Sequence, residues 1–396
     1  ETVTEPDLLT PLEAQAGGRL LARVVRTTGK VNRGAGAARQ DVNVSVAGGR
    51  RVEIKGVDNH RHLPLLVHVE AFRQLNLLRI RAELRRRGIE AENLRLPDRG
   101  LPWEQSPLVV DAGPLLRNCD FAPVREALEQ GHRVCALRLR GLAGMLTWKT
   151  QPGVTFASEL AQRVQVIACL ESRPFMIHSD LRDYGIDSAH WNRLRKQLRA
   201  KLQEDTLVVV WGPEQDAATA AREVFARARE ALVGIPPETR QAFPDGTNGF
   251  ERILPGPDRM YPDTDTPPLP IPDSLVHEAE AALPELPWVR EDRYREQGLR
   301  PGEAARLAEA PWADLFDELE PVAGEPARLL ALALEKRLPH HRRRSGLEGL
   351  PEAARLRPLV EAVGAGRILG HAMEPALDAL LLEEGREVEE VLARFR

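Results

Sequence analysis

The chain has 396 residues, 42% of them hydrophobic, and its 55 Lys and Arg against 59 Asp and Glu leave a formal charge of −4. That length allows two or three domains with real cores, and the balanced charge excludes a polybasic nucleic-acid tail. No apolar run approaches the roughly 20 residues of a membrane span, no signal peptide is legible, and Cys119, Cys135 and Cys169 are too widely spaced for a disulfide framework or a CxxC metal site.

These absences place the protein in the cytoplasm, as an expectation. A start at Glu1 without Met reads as a fragment. After a short acidic segment, Thr10-Pro11-Leu12-Glu13 predicts a helix to about Val25, with Thr as N-cap, Pro at the first helical position and Glu at the third. The Gly-rich loop from Thr27 to Gly36 follows, carrying Lys30 and Arg33. It invites a phosphate group, yet it lacks the Gly-Lys-Ser/Thr ending of a P-loop.

The stretch that organises the chain comes next. From Arg39 to Val46, Val42, Val44 and Val46 alternate with Asp41, Asn43 and Ser45; Val52 and Ile54 alternate with Arg51, Glu53 and Lys55. Period two predicts two half-buried strands, and Gly48-Gly49 supplies the positive φ of a hairpin turn. A row of Asp, Asn and Ser has poor strand propensity, so its selection points to a site.

Pro64 opens a predicted helix on which Leu65, Val69, Phe72, Leu77, Ile80 and Leu84 keep helical spacing, with Gly88 as its C-cap. His60, His62 and His68 read as surface histidines, not metal ligands. Pro and Gly between Leu96 and Pro107 mark a boundary. Strands and helices then alternate to about Leu232, a unit of domain size in which His178, Ser179 and Asp180 read as structural.

Residues 234–272 read as a structureless run, uncommon within a compact protein and usually functional. Phe243, Phe250, Ile253, Leu254, Met260 and Tyr261 disfavour disorder. Arg240, Arg252 and Arg259 supply forks for carboxylate or phosphate, and Asp245, Asp258, Asp263 and Asp265 supply oxygens of the kind Mg²⁺ takes. From Asp273 onward only short helices are predicted. Within that stretch Arg342, Arg343 and Arg344 beside His340 and His341 form the one dense cation cluster, suited to phosphates or to a solvated helix end.

RQDVNVSV with RVEIKGV, FRQLNLLRI at Phe72 to Ile80, and GIPPETRQAFPDGT with RMYPDTDTPP resemble the GatB/GatE family of glutamyl-tRNA(Gln) amidotransferase subunits, specifically its archaeal-type E branch. The resemblance implies an α+β multidomain protein. Part of a mixed α/β cradle would occupy 1–104 and 233–272, an inserted aspartyl-tRNA-synthetase-like α/β module 105–232, and an all-α tRNA-binding domain 273–396. It also implies ATP- and Mg²⁺-dependent phosphorylation of glutamate on tRNA(Gln). Ammonia would come from an asparaginase-like glutaminase partner, the amidotransferase's D subunit, in a heterotetramer.

By matching positions, Glu1 and Glu5 fall in the family's acidic metal region. Arg39, Asp41, Asn43, Ser45 and Lys55 fall in its catalytic hairpin, Lys30, Arg33, Arg240 and Arg259 are the expected ATP contacts, and Arg342 to Arg344 the expected tRNA contacts. The family's N-terminal GlyLeuGluIleHis-type motif and its C-terminal tail domain are missing from this sequence. The alternative is therefore a non-catalytic tRNA-binding or assembly protein.

Overall fold

The computed structural model describes residues 2–32, 37, 39–96, 106–170, 173–181, 184–254, 269–324, 326–345, 349–383 and 385–395. The chain divides into two units, Glu1–Ala16 with Ala38–Asp265 and Gly17–Ala37 with Thr266–Arg396. Helix α1 (Pro11–Thr27) begins with the capping box that its sequence spells. Thr10 Oγ1 accepts from Glu13 N–H at 3.2 Å, and Glu13 Oε2 accepts from Thr10 N–H at 2.9 Å.

In the first unit β1 (Gln40–Val44) and β2 (Val52–Val57) pair antiparallel, Val42 opposite Ile54 and Val44 opposite Val52. Gly48 takes φ +74° in the turn. Helix α2 (Leu63–Arg86) follows, and Gly88 at φ +67° ends it while Ile89 N–H donates to Leu84 O at 3.0 Å. Then come β3 (Val109–Asp111), α3 (Gly113–Leu116), α4 (Ala122–Glu129), β4 (Arg133–Leu139), β5 (Lys149–Gln151), β6 (Val154–Thr155), α5 (Phe156–Ile167), β7 (Met176–His178), α6 (Ser188–Leu198), β8 (Thr206–Gly212) and α7 (Glu214–Val233). The unit closes with β9 (Glu238–Ala242) and β10 (Asn248–Ile253).

Two four-stranded sheets result. One has the order β1-β2-β9-β10, its only parallel pair being β2 with β9; the other, β3-β4-β8-β7, is antiparallel throughout. Residues 255–268 lie outside the described residues, but for its first part the expectation of a structureless run over 234–272 is corrected: β9 and β10 complete the hairpin's own sheet. Their residues are polar on both faces, so the apolar alternation that marks a strand was missing. The second sheet is sandwiched. Leu207, Val209 and Trp211 of β8 enter a core with Phe121, Val124 and Leu194. Val208 and Val210 enter another that runs through Leu137, Leu160 and Val224 to Ile80, Ile54 and Val44. The hairpin thus shares one continuous core with the 105–232 segment.

The second unit holds α8 (Asp273–Ala281), α9 (Pro287–Glu296), α10 (Pro301–Ala308), α11 (Ala313–Ala323), α12 (Ala327–Ser345), α13 (Ala353–Gly364), α14 (Met373–Leu382) and α15 (Val388–Leu392), with no strand among the described residues. Tyr294, Phe316, Leu319, Leu334, Leu356 and Leu377 lie at its centre. The fold is α+β, with helices alone in its C-terminal part.

Candidate active face and its buried charge network

The hairpin turns its aliphatic residues inward: Val44, Val52 and Ile54 are buried, while Asp41, Asn43 and Ser45 are exposed. Between Gln40 and Val42 the ladder slips, so that Lys55 and Gly56 of β2 stand opposite the single Asp41. Gly56 absorbs this bulge at φ +79°, a conformation natural to glycine, and its N–H donates to Asp41 Oδ1 at 3.4 Å. The bulge brings Lys55 Nζ to 3.9 Å from Asp41 Oδ2 and 4.0 Å from Glu53 Oε2. Glu53 in turn accepts from Thr239 Oγ1 of β9 at 3.2 Å. These separations are loose for an ammonium, so Lys55 keeps donors for a further anion.

The inner face of the same sheet is ionic under β9 and β10. Arg73 of α2 forks onto Glu159 of α5, Nε and Nη2 each at 2.8 Å from one carboxylate oxygen. It also donates to Glu70 at 3.1 Å and to Glu238 of β9. Arg240 donates to Glu238 at 2.5 Å, to Glu159 at 3.3 Å, and to the side-chain and backbone oxygens of Asn248. Arg227 of α7 lies over the Phe156 ring, 3.8 Å from Glu159. All six charged side chains are essentially inaccessible.

Burial alone would pull Arg73 down, but Glu159, Glu70 and Glu238 together hold it well above the ordinary arginine value. Burial alone would likewise raise Glu159 and Glu238. Arg240, Arg73 and Arg227 outweigh it and keep both carboxyls below the usual carboxylate range. Burial pulls the Arg227 guanidinium down, against the carboxylates around it.

This network aims the outer face. Gln74, bonded to Glu70 at 3.0 Å, donates to Val44 O at 3.0 Å and accepts from Val46 N–H at 3.2 Å. The backbone on either side of Ser45 is gripped from within, and Ser45 is left outside. A Cβ at Gly49 would stand 2.7 Å from Gln74 Oε1, so that glycine admits the clasp.

Of the other expected site residues, Arg39 is exposed just before β1 and Glu5 is exposed in the N-terminal segment. Lys30 is exposed in the second unit. Glu1, Arg33 and Arg259 lie outside the described residues, as do Asp258, Asp263 and Asp265. Arg240 as an ATP contact is corrected: the alternation of β9 puts it on the inner face, fully buried, with its nitrogens taken up by the network.

Among the described residues no three His, Cys, Asp or Glu side chains converge as a metal site requires. Asp41 and Glu53 already share Lys55. The described residues do not by themselves assemble a Mg²⁺ site. Of the histidines, His62 faces Asp58 at 3.5 Å, His68 packs on Phe72, and burial lowers His178. Asp180 accepts from Leu146 N–H and Thr206 Oγ1.

The sequence reading missed Glu70, Arg73, Gln74, Glu159, Arg227 and Glu238. One signal was present in α2: the gap of five from Phe72 to Leu77 breaks helical phase. Counting back from Leu84 through Ile80 and Leu77 leads to Arg73, Glu70 and Leu66, all buried, whereas Leu65 and Phe72 are exposed.

Residues 1–277 match the family described as the GatB/GatE catalytic domain, and the chain belongs to that family. Among the relatives it matches are archaeal proteins named as the E subunit of glutamyl-tRNA(Gln) amidotransferase. That of Pyrococcus horikoshii is 38% identical over 329 residues, 83% of this chain and 49% of that protein. That of Pyrococcus abyssi is 35% identical over 393 residues, 99% of this chain and 59% of that protein, and that of Methanocaldococcus jannaschii 32% over 396 residues, 99% and 60%. The chain thus spans about half to three fifths of the length of these relatives.

Proposed function

We propose that this chain is the sheet-bearing and helical part of an amidotransferase E subunit, which amidates tRNA-bound glutamate. In this reading the side-chain carboxylate of glutamate misacylated on tRNA(Gln) takes the γ-phosphoryl group of ATP, which arrives as its magnesium complex. Ammonia from an asparaginase-like glutaminase partner, the D subunit, then attacks the acyl carbon. The new C–N bond replaces the C–O bond to phosphate, which leaves with the electron pair, and a proton passes to a nearby carboxylate. The assembly is a heterotetramer working in the cytoplasm.

The observation that carries this reading is the outer-face cluster of Asp41, Glu53 and Lys55, held by a bulge, clasped from below, and tied through Glu53 to the buried Thr239. In this reading Lys55 stabilises charge developing on the acyl-phosphate oxygens. In the same reading Asp41 orients the amine and takes its proton, work for which general bases contribute on the order of 100-fold or more. Asn43 and Ser45 add donors and acceptors along the same edge.

The test uses the full-length protein with its D subunit, Glu-tRNA(Gln) and ATP. Asp41→Ala lowers the amidation rate about 100-fold with thermal unfolding unchanged. An unaltered rate in Asp41→Ala removes the site assignment, and a wild-type complex that forms no Gln-tRNA(Gln) removes the function.

A further inference from the structure

Another part of the first unit carries a modest excess of cations. Where α2 ends, the chain turns at Gly88 and meets the turn that follows β4, and together they line an open cleft of about 560 Å³. Arg86, Arg87, Arg138, Arg140 and Lys201 line it against Glu204 and Asp205. Glu83, which holds Arg86 and Arg87, adds a third carboxylate and leaves the cations in excess by two.

The cleft is built from fixed parts. Arg87 donates to the carbonyls of Gly141 and Ala143 at 2.8 and 2.9 Å, and Arg138 is seated on Asp205 at 2.9 Å. Gly141 takes φ +75° with Ile89 packed where a Cβ would stand, which keeps the floor deep. Arg140 is different: it has no ion pair among the described residues, and its Nε is buried without a hydrogen-bond partner. A buried donor left unmade is costly. Arginines at a helix end beside a glutamate one turn back are ordinary, but they do not account for a guanidinium with no ion pair among the described residues reaching the same hollow from another element.

We propose that this cleft receives a phosphodiester group of an RNA backbone. Guanidinium forks match phosphate oxygens in planar, paired hydrogen bonds. None of the lining residues is aromatic, so no base is stacked, and the site reads backbone charge alone. Glu204 and Asp205 oppose a triphosphate, whereas a diester carries a single charge that suits a small cationic excess. That the RNA is a tRNA rests on the function proposed above.

The test measures fluorescence anisotropy of a labelled tRNA transcript with the whole chain across a series of NaCl concentrations. Arg86→Ala with Arg140→Ala flattens the dependence of log K on log salt by about one to two, with a loss of affinity of about 3- to 10-fold at low salt. Arg86→Lys with Arg140→Lys retains the slope, which separates charge from packing. Inorganic phosphate and ATP, at matched ionic strength, weaken tRNA binding equally in wild type and the alanine pair.

An unchanged slope in the alanine pair overturns this site and leaves the proposed function standing. Selective displacement from wild type by phosphate or ATP makes it a small-anion pocket and also overturns it. A wild-type chain that binds no tRNA overturns both.

Discussion

Arg73 shows how much one side chain decides in this molecule. It meets three buried carboxylates from three elements. Removing one partner of a buried ionic group typically costs about 3–5 kcal/mol, because the charges left behind stay uncompensated. Arg73→Ala should therefore lower the stability of the first unit by about that amount in urea unfolding. Arg73→Lys should restore only part of it, since an ammonium cannot fork onto Glu159. This residue stood inside FRQLNLLRI, a segment that signalled family, but nothing in its own chemistry marked it as buried. Charged side chains are rarely fully enclosed unless paired, and their partners lay as far as 165 residues away. The outward set was easier to see, because Val42, Val44 and Val46 frame it in a period that needs no distant partner.

For elements, the coupling of α2, α5 and β9 makes a statement about acid. Glu159 and Glu238 titrate below the ordinary carboxylate range when folded, held there by Arg240, Arg73 and Arg227 against burial. A folded value beneath the unfolded one adds stability that is present above the unfolded pKa, about 4.3 for glutamate. That stability is lost as pH falls toward the folded value. The urea midpoint of the first unit should be flat in this contribution above about pH 5 and decline below it. In Arg240→Ala the decline should be shallower, because one of the cations that depress both carboxyls is gone; an equally steep decline would show that other carboxylates govern acid unfolding. The same elements explain what could be read in advance. Helices α5, α6 and α7 and strands β4 and β8 advertise themselves by apolar periodicity. Strands β9 and β10 do not, because Glu238, Arg240 and Asn248 occupy the positions where aliphatic residues would stand.

At the level of the whole molecule, the helical C-terminal part was legible from its Pro and Gly punctuation, although α12 runs through Pro339 to Ser345. That continuation separates the cation cluster into two roles. His341 is buried and bonded to Asp378 at 2.7 Å, which Arg337 also holds, while Arg342, Arg343 and Arg344 remain exposed. If those three arginines meet tRNA phosphates, replacing all three by alanine should weaken tRNA binding and flatten its salt dependence by about two to three. Thermal unfolding should not change, since none of the three is buried. An unaltered salt dependence would return them to the role of solvated cations at a helix C-terminus.

The parallel pairing of β2 with β9 also bears on how the protein is made. Thr239 reaches Glu53 across 186 positions of sequence, so a hairpin leaving the ribosome early has no mate for its second strand until everything up to β9 has followed. Such distant pairings are slow to form and expose unmated edges meanwhile. The intervening segment must fold, or be sheltered, before the strand that bears Lys55 is joined by its neighbour. Translation speed and chaperone supply should then govern the yield of active protein more than they govern the yield of its helical C-terminal part.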